Sequence, residues 1–104
     1  MERIYAGKVG DLKEGEKKVV RAGNRDVIVA KVEDKVYAVD GMCTHMRAPL
    51  SAGKIIDKTI RCRMHGAVFD LETGNAVMRP AGATDLKTYP VVIEGEDIYF
   101  EFEA

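Results

Sequence analysis

Gly41-Met42-Cys43-Thr44-His45 and Cys62-Arg63-Met64-His65-Gly66, with sixteen residues between His45 and Cys62, hold every cysteine and every histidine of the chain. Two short clusters of soft ligands argue for a metal site rather than for scattered core residues. A disulfide between the two cysteines would leave both neighbouring histidines without a purpose. A cysteine pair flanked by histidines in an intracellular chain is more often metal-binding than cross-linking. Each cluster sits at a loop-like place: the first follows a strand pattern and precedes Pro49, and the second lies between two short apolar runs. A scaffold that presents two loops side by side is therefore required.

The sequence outside these clusters reads as that scaffold. Runs rich in Val, Ile and Tyr recur between Gly, Asp and Asn turns. The expected strands are residues 3–9, 17–22, 25–32, 35–40, 54–56, 59–62, 67–70, 86–94 and 97–102. Glu33-Asp34 and Glu94-Gly95-Glu96 read as tight turns. Asp97-Ile98-Tyr99-Phe100-Glu101-Phe102 alternates, with Ile98, Phe100 and Phe102 on one face. Pro90 interrupts its run and points to an edge or a bulge, because proline cannot donate to a ladder. No segment has a helical period of useful length; residues 10–16 form a loop or one helical turn. The expectation is an all-β chain built as an antiparallel sandwich or barrel-like domain.

The chain has 104 residues, 46% of them apolar, enough for one domain with its own core. Residues 1–104 are expected to be that single domain. Met1-Glu2-Arg3-Ile4-Tyr5 is not a basic segment leading into an apolar one, so no signal peptide is expected. No apolar run approaches the ~20 residues of a membrane-spanning helix. These features point to a soluble, cytoplasmic monomer. A net charge of −1 gives no case for a nucleic-acid partner. The charge is unevenly spread: residues 41–82 carry six Lys and Arg against three Asp and Glu, and residues 83–104 carry one against six. Ordinary solvated charge is one reading; a basic rim that docks an acidic redox partner is the sharper one. The absence of glutamine, with only Asn24 and Asn75 as asparagines, leans toward heat stability.

The spacing narrows the metal. Each pair sets one thiolate beside one imidazole. Residues so close together can address two adjacent metals rather than one, which suits a [2Fe–2S] cluster with two thiolates on one iron and two imidazoles on the other. Neutral imidazoles reduce the negative charge of such a cluster, so an added electron costs less. Centres of this kind lie at ~ −150 to +300 mV, against ~ −400 mV for all-thiolate plant-type clusters. Zinc remains the rival, since two Cys and two His also form a structural zinc set, although zinc spacing usually pairs like with like.

Beyond the ligands, the chain resembles the Rieske ferredoxins. Cys43-Thr44-His45 followed by Ala48-Pro49-Leu50 and Gly53 is similar to the family's first cluster loop. Cys62-Arg63-Met64-His65-Gly66 followed by Phe69-Asp70 and Thr73-Gly74 is similar to the second loop and its hairpin. Pro80-Ala81 resembles the third loop, which packs over the cluster. The resemblance implies a Rieske-like antiparallel β-sandwich base carrying a small cluster-binding subdomain, about residues 41–82. It implies a [2Fe–2S] cofactor held by Cys43, His45, Cys62 and His65, the cysteines on the inner iron and the histidines on the outer. Two positions depart from the family pattern: Arg47 stands where Gly is usual, and Arg63 where Pro is usual. Both alter the shape and charge of the docking face, and neither removes a ligand.

The resemblance also separates two branches. High-potential members carry an additional cysteine in each loop; here those positions are Ala48 and Met64. They also place Ser and Tyr hydroxyls near the cluster; here the positions are Ala67 and Phe69. Hydrogen bonds to cluster sulfur stabilise the reduced form, so their absence implies a low-potential centre. The function implied is one-electron transfer rather than catalysis, between a reductase and a terminal oxidoreductase such as an oxygenase. A small subunit of a larger redox enzyme such as nitrite reductase, and a structural zinc module, are the alternatives. No nucleophile–base pair and no glycine-rich phosphate loop is present in the sequence. Met42, Met46, Met64, Leu50 and Pro80 are expected to shield the metal from water.

Overall fold

Val27-Ile28-Val29-Ala30 is buried along its whole length rather than on alternate residues, which places its strand between two apolar layers. A computed structural model describes residues 2–42, 49–63, 66–78 and 84–102. The strands are β1 (Glu2–Lys8), β2 (Lys17–Ala22), β3 (Arg25–Val32), β4 (Lys35–Asp40), β5 (Lys54–Ile56), β6 (Thr59–Arg61), β7 (Val68–Asp70), β8 (Ala76–Met78), β9 (Thr88–Tyr89), β10 (Val91–Glu94) and β11 (Asp97–Phe102). Short 3₁₀ turns occur at Val9–Asp11 and Leu50–Ala52. Among the described residues no helix is long and apolar enough to cross a membrane.

The strands form three antiparallel sheets, ordered β1-β11-β10, β2-β3-β4-β9 and β5-β6-β7-β8. The second sheet lies in the middle. On one side Val27, Val29 and Ala38 pack with Ala6, Ile98, Phe100 and Phe102 of the first sheet. On the other side Ile28, Ala30, Val32 and Val39 pack with Ile60, Phe69 and Leu71 of the third. The alternation of β11 survives intact, with Ile98, Phe100 and Phe102 all buried. The all-β, antiparallel expectation is borne out.

Local chemistry explains the turns. Glu33 and Asp34 both adopt left-handed backbone, with φ of 54° and 64°, as a two-residue hairpin demands. Left-handed backbone costs a residue with a side chain roughly 1–2 kcal/mol. The Glu14 carboxylate offsets this by accepting the N–H groups of Glu33 at 2.7 Å and Asp34 at 3.3 Å. Gly95 takes a positive φ of 62° in the last hairpin.

Two expectations are refined and one strand is new. The 86–94 run is two strands in two different sheets, because Pro90 interrupts the ladder and the chain crosses there from the edge beside β4 to the edge beside β11. The Pro90 carbonyl still accepts from Glu101 N–H at 2.9 Å. The strand expected at 59–62 ends at Arg61, since Cys62 N–H turns to the Ala67 carbonyl. Strand β8 was not foreseen: three residues that pair only with β7 carry too short a pattern to be read. Tyr5 lies on the solvent face of β1, 51% exposed, its ring tilted against Tyr99 at 5.6 Å.

Candidate metal centre

The first loop leaves and returns at one point. Gly41 N–H donates to the Asp26 carbonyl at 2.8 Å, Met42 bridges Pro49, and Leu50 N–H donates back to the Gly41 carbonyl at 2.8 Å. The end of β4 and the start of β3 thus fix its stem. The second loop closes a hairpin: Arg61 pairs with Val68, and Cys62 N–H donates to the Ala67 carbonyl at 2.7 Å. Gly66 turns this loop with a φ of 70°, backbone that glycine adopts without steric cost.

The two stems abut at Gly53. Its φ is ordinary, −83°, but a Cβ there would fall onto the Arg61 carbonyl oxygen. Only glycine lets the chain leaving the first loop lie against the strand that leads into Cys62. Leu50, fully buried, packs in the same cluster as Cys62, Ile60, Ala67 and Phe69. Leu50, expected to shield the metal, is thus buried beside the one expected ligand that lies among the described residues. Met42 is 36% exposed beside the first loop.

Cys62 is 1% exposed. Apolar surroundings penalise a thiolate unless a positive partner compensates it, and a metal ion is such a partner. Above it opens a cleft of about 370 Å³, walled by Ala52, Gly53 and Gly66. Lys54, Arg61 and Arg63 line the same cleft, so its field is positive and favours an anionic occupant or neighbour. A buried cysteine one residue beyond the Gly53–Arg61 contact between the stems is a donor of the kind a two-iron cluster takes. Cys43, His45 and His65 lie outside the described residues, as do Thr44, Met46, Arg47, Ala48, Met64, Arg79, Pro80 and Ala81.

Ala67 and Phe69 are both completely buried in the cluster that contains Cys62. Neither side chain can donate a hydrogen bond. Asp70, the last residue of β7, acts as a turn residue: its Oδ1 accepts Glu72 N–H at 2.8 Å and Thr73 N–H at 3.0 Å. Two features escaped the sequence reading. The close approach at Gly53 has no local signature, although the glycine itself was visible. The convergence of Lys54 and Arg61 follows from the alternation of two three-residue strands and needed their register.

The model of the Rieske [2Fe-2S] domain matches residues 2–90. The 3-phenylpropionate/cinnamic acid dioxygenase ferredoxin subunit of Escherichia coli (strain K12) is 42% identical over 104 residues, covering 97% of this chain and 94% of that protein. The Sphingomonas yanoikuyae B1 ferredoxin superposes with a TM-score of 0.89 at 31% identity, covering 98% of this chain and 100% of the other. A structure described as a complex of reduced oxygenase and oxidized ferredoxin in carbazole 1,9a-dioxygenase contains a chain with a TM-score of 0.88 at 28% identity, covering 94% of this chain and 100% of that one.

Proposed function

The chain belongs to the Rieske [2Fe–2S] domain family, and on that premise we propose that it is a one-electron carrier that takes electrons from a reductase and passes them to a terminal oxidoreductase such as an oxygenase. Cys43 and Cys62 would hold the inner iron through their thiolates, and His45 and His65 the outer iron through their imidazoles. When bound, the cluster supplies a site that accepts and releases one electron without bond-making in the protein. The chain's own residues do the rest. Leu50, Ala67 and Phe69 keep water from the Cys62 side, and the stems of the two loops abut at Gly53 and Arg61. Residues 1–104 act as one domain, with the β5–β8 sheet and its flanking loops, about residues 41–82, as the cluster-binding part.

The observation that carries this reading is the burial of Cys62 beneath a basic cleft where the two loop stems meet. A relative named as the ferredoxin subunit of a dioxygenase, at 42% identity over nearly the whole chain, supports the electron-carrier role. We assign the centre to the low-potential branch, supported by Ala67 and Phe69, which offer no hydroxyl. We assign the protein to the cytoplasm, supported by cysteines set beside histidines as ligands rather than as a cross-link.

The test is the visible spectrum and the electron paramagnetic resonance of the dithionite-reduced protein. A red-brown oxidised form with the low-average g signal of mixed thiolate–imidazole ligation is expected. A colourless protein carrying one zinc after anaerobic, iron-supplemented expression would overturn the reading.

A further inference from the structure

The outer face of the β5–β8 sheet ends beside the two loops. At that end Lys54 pairs with Arg61, Arg61 with Val68, and Val68 with Met78. Residues directly opposite on antiparallel strands share a face, so these four side chains form one row. The alternate positions Ile55, Ile60, Phe69 and Ala76 belong to the core on the inner face. Lys54, Arg61 and Met78 are exposed. Val77, at the irregularity in the β7–β8 pairing, is 59% exposed next to Met78 at 60%. Arg63 extends the basic end along the cleft that opens over Cys62. The row thus runs from cations to apolar side chains along the rim of the candidate centre.

Among the described residues none of Lys54, Arg61 and Arg63 is ion-paired; the ion pairs are Arg3–Glu94, Arg21–Asp26, Arg25–Asp40 and Lys58–Glu72. Nearby carboxylates are engaged by backbone: Asp70 Oδ1 accepts from the turn that follows it, and Asp85 Oδ1 accepts Ala76 N–H at 2.9 Å. Glu94, Asp97 and Glu101 stand on the β1-β11-β10 sheet, beyond the middle sheet.

We propose that this row is the docking surface for an acidic protein partner in electron transfer, whose carboxylates face Lys54, Arg61 and Arg63 and whose apolar side chains cover Val77 and Met78. The inference rests on the carrier reading and names the chemistry of its partner. Rim charges of opposite sign raise the encounter rate and set orientation. The exposed valine and methionine provide area that is worth desolvating once the encounter is oriented; methionine adapts to an irregular partner surface. Docked there, a partner brings its own redox group next to the loops.

The test follows oxidation of the dithionite-reduced holo-protein by hexacyanoferrate(III), which removes one electron per molecule, by stopped flow from low to high salt. Calorimetry with poly-L-glutamate gives a second readout that needs no electron transfer. The wild-type rate is expected to fall with salt, and poly-L-glutamate to bind at low salt. Lys54→Glu combined with Arg61→Glu should slow the low-salt reaction on the order of tenfold, reverse its salt dependence and abolish poly-L-glutamate binding. Lys8→Glu with Lys13→Glu, at the far end of the molecule, should change the rate by less than about twofold. A rate indifferent to salt and to the Lys54/Arg61 substitutions, or no binding of poly-L-glutamate to the wild type, would overturn the docking surface and leave the carrier reading standing. A protein with no reducible chromophore would overturn the carrier reading, and the docking surface with it.

Discussion

Replacing Gly53 with alanine tests the junction on which the candidate centre is built. The added Cβ would coincide with space already held by the Arg61 carbonyl oxygen, and it would also come within 3.1 Å of the Leu50 carbonyl oxygen. Both obstacles are backbone, so no rotamer change relieves them. Moving Arg61 would strain its pairing with Lys54 and Val68; moving Leu50 would disturb a fully buried side chain. Overpacking of a tight interior costs roughly 1–3 kcal/mol, and a backbone obstacle belongs at the upper end, about 3 kcal/mol. For a domain of this size each kcal/mol shifts the midpoint by roughly 4–8 °C, which gives a loss of about 12 °C or more. The assay is thermal unfolding by circular dichroism, with iron per chain measured on the same preparations, since parting the stems should also loosen the metal site. Gly10→Ala is the control: nothing lies within 4 Å of its Cβ position, and its midpoint should match the wild type or rise slightly. A Gly53→Ala protein with an unchanged midpoint and full iron would refute the argument that the stems meet at this contact.

Ala67→Ser and Phe69→Tyr should each raise the reduction potential by roughly 40–100 mV, the equivalent of about 1–2 kcal/mol from a hydrogen bond to sulfur that strengthens on reduction; equal potentials in both variants, by protein-film voltammetry, would count against it. Burial holds the Tyr89 phenol above its ordinary value of 10.0, Asp40 adding to the shift and Arg25 opposing it. A raised folded-state pKa stabilises the fold fully below pH 10 and loses that stabilisation as pH rises through the folded value. Urea midpoints should therefore decline above pH 10, and Tyr89→Phe should flatten the decline. Glu14→Ala removes the carboxylate that caps the Glu33-Asp34 turn and should cost about 1–2 kcal/mol in chemical denaturation, with Glu14→Gln restoring part of it.

Much of the base was legible in the chain. Strands β2, β3, β4, β5 and β11 have the bounds their patterns announced, because alternation and turn residues are local properties. The turn at Glu33-Asp34 was equally visible, but its stabiliser was not: Glu14 lies nearly twenty positions away, and no local pattern links them. Pro90 signalled an interruption, but which sheet each half would join depends on edges that exist only after folding. Strand β8 was missed because three residues hold too little periodicity to stand out.

The candidate centre divides along the same line. Its donor types and their spacing are sequence facts, because the chemistry of Cys43, His45, Cys62 and His65 and the few bonds between paired ligands are set before folding. The tertiary structure decided that Val27 and Ile28 face different layers, since a continuous apolar run does not say what covers each side. It decided that Gly53 touches Arg61 rather than simply ending a turn, and that Lys54, Arg61, Val68 and Met78 stand in one row. Those facts depend on cross-strand register and close approach, which join residues distant in sequence and leave no periodic trace within either segment.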